Sequence, residues 1–478
     1  MTDVSAKPEM GRVGLAPGGR ISAKPAQRAS AAVSLPRRPR LAIVSTLTEL
    51  CGIGAYTRFL YRQLSEDFDV TLLELDQYLL RHSHPRVRRQ ANRHIRALCR
   101  EIASYDAVNL QLEHGTLGLK AFDIYRRFSW IVDAAPKISV TFHTMFPWAA
   151  FDYHAFFKEL LRFNLSKAWL QRAEFNRAHR LAQGLTTQLR RAQRRKSVVA
   201  IVHNRRDRKE LSHVHAIRNV YDHPLAFLSK QEARSVRATV ARAQFPMLDQ
   251  LPADARLVGV FGFLGPYKGF ETVIRALQHL PETHHILIFG AVHPNEIVPR
   301  QSIYPYLGSL LADGYVDASV AERLMHAGEG KAGLSIAIDR QLEEMLVRHP
   351  KDLSARIHFM GSMSDDAFLA GMALCDSAVF PYLEVGQSSS GPISQSLELG
   401  CRVIASRTRT FLELDRYYPN RIEFFDIGNH LELAQRILAR PAYESGSYVA
   451  DYDVETNKAV YRAANGAGRS KVPGWPGH

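Results

Sequence analysis

Apolar residues occur along this chain in short runs separated by stretches of helical periodicity. RLAIVST (40–46) is the first run, and it ends in small polar residues. GIGAYTRFLYRQL follows, with glycine first and helical spacing after it. Strand, glycine turn and helix together open a Rossmann-like unit. VTLLEL (70–75), AVNLQL (107–112), ISVTFHT (138–144), VVAIVHN (198–204) and NVYDHP (219–224) continue the strands, with helical segments between. ARLVGVFGFLGPYKGFETVIRAL (255–277) is a second start of the same kind. HHILIFG (284–290), ARIHFMG (355–361), SAVFPY (377–382) and CRVIAS (401–406) extend it. Alternating strands and helices predict parallel α/β sheets, and two such series predict two facing Rossmann-like domains with a cleft between them.

The expected boundaries follow. Residues 1–38, rich in Ala, Pro, Gly and cations without periodicity, read as a disordered basic tail. Residues 39–225 form the first domain and 226–415 the second. Residues 293–354 are long for a connection between strands and read as a helical insertion. Residues 416–445 read as a C-terminal helical region and 446–478 as a tail.

Composition narrows the class. Hydrophobic residues make up 46% of 478, enough for packed cores. No apolar run reaches the length of a membrane span. The N-terminus lacks the apolar region of a secretory signal, although its few acids give it a weak transit-peptide character. Four cysteines without zinc spacing fit reduced thiols in a cytoplasmic compartment. The net charge of +15 is unevenly placed. Residues 1–40, 81–100 and 158–209 carry +6, +7 and +12, so the remainder carries −10. Nucleic acid, an anionic membrane and a phosphorylated substrate are all candidates for that basic half. No nucleic-acid-binding module signature accompanies the cations, which argues against the first. In 85–100, Val87, Ala91, Ile95 and Leu98 make a narrow stripe among Arg88, Arg89, Arg93, Arg96 and Arg100. Residues 156–196 place Phe156, Phe157, Leu160, Leu161, Phe163 and Trp169 beside cations. Both patterns fit either an amphipathic helix with a solvated basic face or a helix lying on anionic lipid.

Three loops carry candidate chemistry. Gly52 and Gly54 sit where a strand turns into a helix, where backbone N–H groups can approach phosphate or where glycine merely permits the turn. Gly265 and Lys268 occupy the matching loop of the second unit, where an ammonium can bind a diphosphate. Ser388, Ser389, Ser390 and Gly391 precede Pro392, which suits a helix start, and Gly400 suits its end. That loop offers N–H and O–H donors to phosphate oxygens, or simply a well-capped helix. His143, Glu113 and His114 follow strands, at the ends where α/β sites form. Asp451-Tyr452-Asp453 has metal-motif spacing but falls outside any such loop, and no metal site is expected.

Taken together, LQLEHGTLG (110–118), TFHT (141–144), FGFLGPYKG (261–269), the Gly52–Gly54 loop and 379–406 resemble retaining glycosyltransferases of family four. The resemblance covers about 40–415 and implies the GT-B fold. It implies transfer of a sugar from a nucleotide-diphosphate donor to a glycan or lipid-linked acceptor, as in polysaccharide or glycoconjugate biosynthesis. The first domain would bind acceptor and the second the donor, without a metal. By the same resemblance, Lys268, His143 and Gln387 belong to the catalytic site. Gly52, Gly54, Gly265, Ser388, Ser389, Ser390, Gly391 and Gln395 belong to the donor site, and Glu113 and His114 to the acceptor side. The chain departs from the family at three places. Gln387 and Gln395 stand where many members carry glutamates seven residues apart, and Phe263 stands where arginine is common. It thus resembles a subgroup with a Ser-Ser-Gly run. Glu384 and Glu398 lie near, but Glu398 falls on a different helix face. An inactive nucleotide-sugar-binding paralogue and a sugar-nucleotide epimerase are the alternatives. A cytoplasmic protein, peripheral to the inner face of the cell membrane if the basic helices bind lipid, is the expected setting.

Overall fold

The computed structural model describes residues 37–48, 52–145, 153–292, 305–314, 353–384, 386–441 and 451–466, without the side chains of His114 and 312–314. Residues 1–36 of the expected tail and most of the expected insertion lie outside these, apart from the helix Pro305–Gly314. The described residues from Arg38 onward belong to one compact unit.

Two six-stranded parallel sheets carry the fold. The first contains β1 (Arg40–Ser45), β2 (Asp69–Glu74), β3 (Ala107–Leu112), β4 (Ile138–Phe142), β5 (Val198–Val202) and β6 (Val220–Asp222). Their order is β2-β1-β3-β4-β5-β6. The second contains β7 (Arg256–Phe261), β8 (His284–Phe289), β9 (Ile357–Gly361), β10 (Ser377–Phe380), β11 (Val403–Ser406) and β12 (Ile422–Phe425), in the order β12-β11-β10-β7-β8-β9. Each apolar run named above is a strand. β3, β4, β5 and β10 are buried along their whole length, as strands covered on both faces must be.

Both orders contain a reversal. The first sheet grows outward in opposite directions from β1 and β3, the second from β7 and β10. Connections leaving such a strand pair diverge, so a crevice opens beyond their carboxyl ends. The loops after β1, β3, β7 and β10 are those the sequence singled out.

Two elements differ from expectation. β12 lies in the region read as only helical. Its short IEFF run hides Glu423, whose carboxylate pairs with Arg402 at 2.8 Å, both side chains being buried. The stretch read as a tail contains the helix Val454–Asn465, which packs on β3, β4, β5 and the helix Gly52–Leu64. Asn457, Lys458 and Asn465 are among its buried residues, so its inward face is not an apolar stripe. Asp453 caps it by accepting a hydrogen bond from Thr456 N at 3.1 Å, which gives one acid of the Asp-Tyr-Asp run a structural role.

The basic helix Pro85–Ile102 also departs from one of its two readings. Ala91, Ile95 and Leu98 are buried in the first sheet's core, so that stripe is not available to lipid. Arg88 pairs with the buried carboxylate of Asp123 at 2.6 Å, and Arg96 lies over the Trp130 ring.

The sheets share a hydrophobic cluster in which Tyr56, Phe59 and Phe227 join Leu257, Phe261 and Phe380. Glu398 ties the connecting segment down. Its carboxylate accepts from the N–H groups of Phe227 and Leu228 at 2.9 and 3.1 Å, and burial pushes it up to about 8.

Candidate functional site

In the second sheet, β7 leads through Gly262–Gly265 into the turn Pro266–Lys268, and the helix Phe270–Leu277 follows. Gly269 joins them at φ 65°, and a Cβ there would lie 2.1 Å from the Pro381 carbonyl oxygen. Only glycine lets this turn close against the strand end of β10. Lys268 is thereby pressed inward. Its ammonium donates to the Tyr382 hydroxyl and lies 3.8 Å from that ring's centroid. Tyr382 in turn shares a 3.0 Å hydrogen bond with Ser390 Oγ. Among the described residues no carboxylate forms an ion pair with Lys268. Burial without an anion pulls its ammonium down to about 7.

The serine loop follows β10. Pro392 stands in the first turn of the helix Gly391–Glu398, and Gly400 at φ 69° ends it, as the residue types predict. Ser390 is the N-cap, yet its hydroxyl makes no cap bond and turns to Tyr382 instead. Ser388 and Ser389 are engaged elsewhere. Ser388 Oγ accepts from Met145 N at 2.9 Å and donates to Asp207, and its carbonyl accepts from Asn204 Nδ2 at 3.1 Å. Ser389 Oγ donates to the His143 carbonyl at 3.4 Å. These two serines therefore bridge the sheets, and only Ser390 is wired to Lys268. Gln387 bonds the Tyr267 side chain, and its carbonyl accepts from Thr410. Gln395 is buried one turn into the helix. Glu398 is committed to the connecting segment, so it does not replace either missing glutamate.

The first sheet supplies neutral groups. His143 Nε2 lies 2.7 Å from Gln111 Oε1. Gln111 donates to Asn109 Oδ1, and Asn109 donates to Ser139 and Thr141. The helix Val454–Asn465 closes this network. Tyr461 OH lies 3.0 Å from Thr141 Oγ1, and Asn465 Oδ1 accepts from Ser139 at 2.9 Å. Burial, then the neighbouring His203, hold the His143 imidazole well below its usual range, so it is neutral. Glu113 accepts from Thr144 Oγ1 at 2.8 Å, and His114 begins a short turn after β3. Gly52 is exposed at the start of its helix, with open space around it. A Cβ on Gly54 would meet Thr48 O at 2.6 Å, so this glycine fits its own loop closely. Gly265 packs on the Tyr267 ring and Gly391 on Phe227.

The sequence reading missed His203, Asn204 and Tyr382. His203 Nδ1 lies 3.0 Å from the His223 carbonyl, which makes Nδ1–H the donor. That leaves Nε2 as a buried acceptor without a hydrogen-bond partner among the described residues. Burial pulls this imidazole to about 4. His203 and Asn204 line a small cavity with Ser388, Ser389, Ser390, Ser394 and Thr410. Its free space of about 10 Å³ suits a single water rather than a sugar. Both residues follow β5, at the same end of the sheet that marked His143.

Among the described residues no group of three His, Cys, Asp or Glu side chains is placed to hold a metal ion, and no helix is long and apolar enough to cross a membrane.

No family model and no curated protein matches the sequence. Solved structures do match its fold. A sucrose-phosphate synthase from Thermosynechococcus elongatus superposes with a TM-score of 0.51 at 16% identity, over 89% of this chain and 95% of that one. A UDP-forming α,α-trehalose-phosphate synthase from Burkholderia xenovorans gives 0.50 at 10% identity, over 90% and 94%. A trehalose-6-phosphate structure from E. coli, bound with UDP-2-fluoro glucose, gives 0.50 at 9% identity, over 90% and 94%. With two parallel six-stranded sheets, each containing one reversal of strand order, the chain has the GT-B fold of known glycosyltransferase structures.

Proposed function

We propose that this protein is a glycosyltransferase that moves a sugar from a nucleotide-diphosphate donor to a glycan or lipid-linked acceptor with retention of configuration. The observation that carries this reading is Lys268, a buried ammonium at the reversal of the second sheet with no carboxylate paired to it among the described residues. A buried cation of this kind is stabilised by an arriving anion, and a departing nucleoside diphosphate is one. Lys268, the Ser390 hydroxyl and the N–H groups at the start of Gly391–Glu398 take up the charge that develops on the phosphates. These groups fill the role a divalent metal plays in other diphosphate sites. Gln387 and neutral His143 hydrogen-bond the donor sugar, and Gln395 the ribose. The backbone at Gly52, Gly54 and Gly265 admits the phosphates. Glu113 and His114 receive the acceptor. The leaving phosphate itself takes the acceptor's proton.

Ser388 and Ser389 join the donor site only after releasing the opposite sheet, so donor entry requires the two sheets to part there. The test is a thermal-shift screen of nucleotide-diphosphate sugars, followed by turnover with EDTA present. UDP-sugars come first, since two of the matching structures are described as UDP-forming or bound with a UDP-sugar. The expected result is a shift with one donor and turnover that survives the chelator. Absence of any shift across uridine, guanosine and adenosine donors would defeat the reading.

A second reading, binding without turnover, is favoured by Gln387 and Gln395 at the two glutamate positions. Gln387→Glu separates the two. An active enzyme built around the amide loses activity, because a carboxylate then stands near the donor's phosphates. An inactive paralogue gains activity.

A further inference from the structure

The helices Tyr153–Leu161 and Leu165–Ala192 meet in a hairpin whose tip is apolar and exposed. Leu161 is 82% exposed, Phe163 89%, Leu165 62% and Trp169 78%. Phe157 and Leu161 are one turn apart on the first helix, and Leu165 and Trp169 on the second, so each pair shares a face beside the connection.

The connection is tightly made. Glu159 accepts from Asn164 Nδ2 at 3.0 Å and pairs with Lys167 at 3.1 Å. Phe163 N donates to the Leu160 carbonyl at 2.9 Å, and Asn164 N to that of Glu159 at 2.9 Å. Phe163 itself has φ 57°, in the left-handed region that glycine occupies without strain and an aromatic residue does not. The fold thus holds an aromatic side chain in solvent where glycine would serve the turn better. Cations surround it: residues 153–180 contain six Lys/Arg and two Glu.

We propose that this tip docks on an anionic bilayer, with Leu161, Phe163, Leu165 and Trp169 in the interfacial layer and Lys158 and Arg162 among the headgroups. Charge selects this occupant. Two copies meeting tip to tip would bring their cations together, whereas an anionic surface complements them. The proposal does not depend on the transferase reading.

Phe163→Gly tests it cleanly, because glycine keeps the turn and removes only the ring. The full-length protein is floated with vesicles of phosphatidylcholine alone and with phosphatidylserine added. Wild type should bind the anionic vesicles only, and less as salt rises. Phe163→Gly should weaken that binding by roughly tenfold, the scale of one apolar side chain, while the melting temperature holds or rises. Lys158→Gln and Arg162→Gln should each cost about fivefold. The proposal falls if wild type ignores anionic vesicles or if Phe163→Gly binds them as wild type does. It also falls if wild type sediments as a dimer that Phe163→Gly dissolves, which would assign the tip to a second copy.

Discussion

The two crevices are built from opposite materials. Along β3 and β4 and just past the end of β4, the first sheet carries neutral groups that satisfy one another: His143, Gln111, Asn109, Ser139 and Thr141, closed by Tyr461 and Asn465. Beyond the second stands a cation that donates to a phenol and, among the described residues, forms no ion pair with a carboxylate. A satisfied polar network fixes geometry and offers hydrogen bonds to hydroxyls. An uncompensated buried charge is held at a cost and is relieved by an anion. Under the proposed function, this difference would give sugar and acceptor recognition to the first sheet and phosphate recognition to the second.

The sharpest way to break this comparison is at Lys268. Lys268→Met should lower turnover by roughly a hundredfold or more, the scale for losing one donor aimed at developing charge. The same group gives a pH signature. The free ammonium titrates near 7, and a bound diphosphate holds the proton to higher pH. Below 7 the lysine is charged with or without donor, and affinity is flat. Above 7 the donor must bring a proton in, so affinity should fall by up to about tenfold per pH unit until the bound-state pKa is passed. Calorimetry across pH 6–9 on wild type and Lys268→Met checks both, and a slope that survives in the variant refutes the assignment.

On the first sheet, Tyr461→Phe should act on stability instead. It leaves the buried Thr141 hydroxyl short of a partner, at a cost of about 1–3 kcal/mol. Denaturant unfolding should register that loss while donor affinity stays within twofold. A large loss of donor affinity would show that the bond to Tyr461, and not only the network behind His143, sets the donor site. The smallest effect is expected at Gln395. Gln395→Ala should weaken donor binding by about 0.5–1.5 kcal/mol, the worth of one neutral hydrogen bond, with kcat nearly unchanged.

Most of the fold was legible because parallel strands are written as short, largely apolar runs between helical stretches, and eleven of the twelve strands carried such a run. β12 escaped because it spends one of four positions on Glu423, and the pairing that makes this carboxylate acceptable comes from Arg402, far away in sequence. The helix Val454–Asn465 escaped for a related reason: it buries amides and a lysine against partners from the opposite end of the chain. In the site, Lys268 was visible from its place before a helix. Tyr382 was not, since nothing local distinguishes a tyrosine that receives a buried ammonium. His203 and Asn204 could have been found by the rule that marked His143, position at a strand's carboxyl end. What no local pattern could give is that Ser388 and Ser389 spend their hydroxyls on the opposite sheet, because the partners are set by how the two halves meet.

The helix Val454–Asn465 has a consequence for how the chain comes into being. Gln63 binds Asn457 at 3.0 Å, Asp67 binds Arg462 at 2.6 Å, and β3, β4 and β5 lie beneath the same helix. A ribosome finishes β6 long before it reaches residue 454. At about 5–20 residues per second, the first sheet waits roughly 10–50 s with that surface uncovered. During this interval Ser139 and Thr141 keep Asn109 but lack Asn465 and Tyr461, whose places water takes. Residues 39–225 made alone would keep that face open permanently, whereas supplying the helix as a separate peptide should restore it. The first half to be synthesised is therefore the last to be completed.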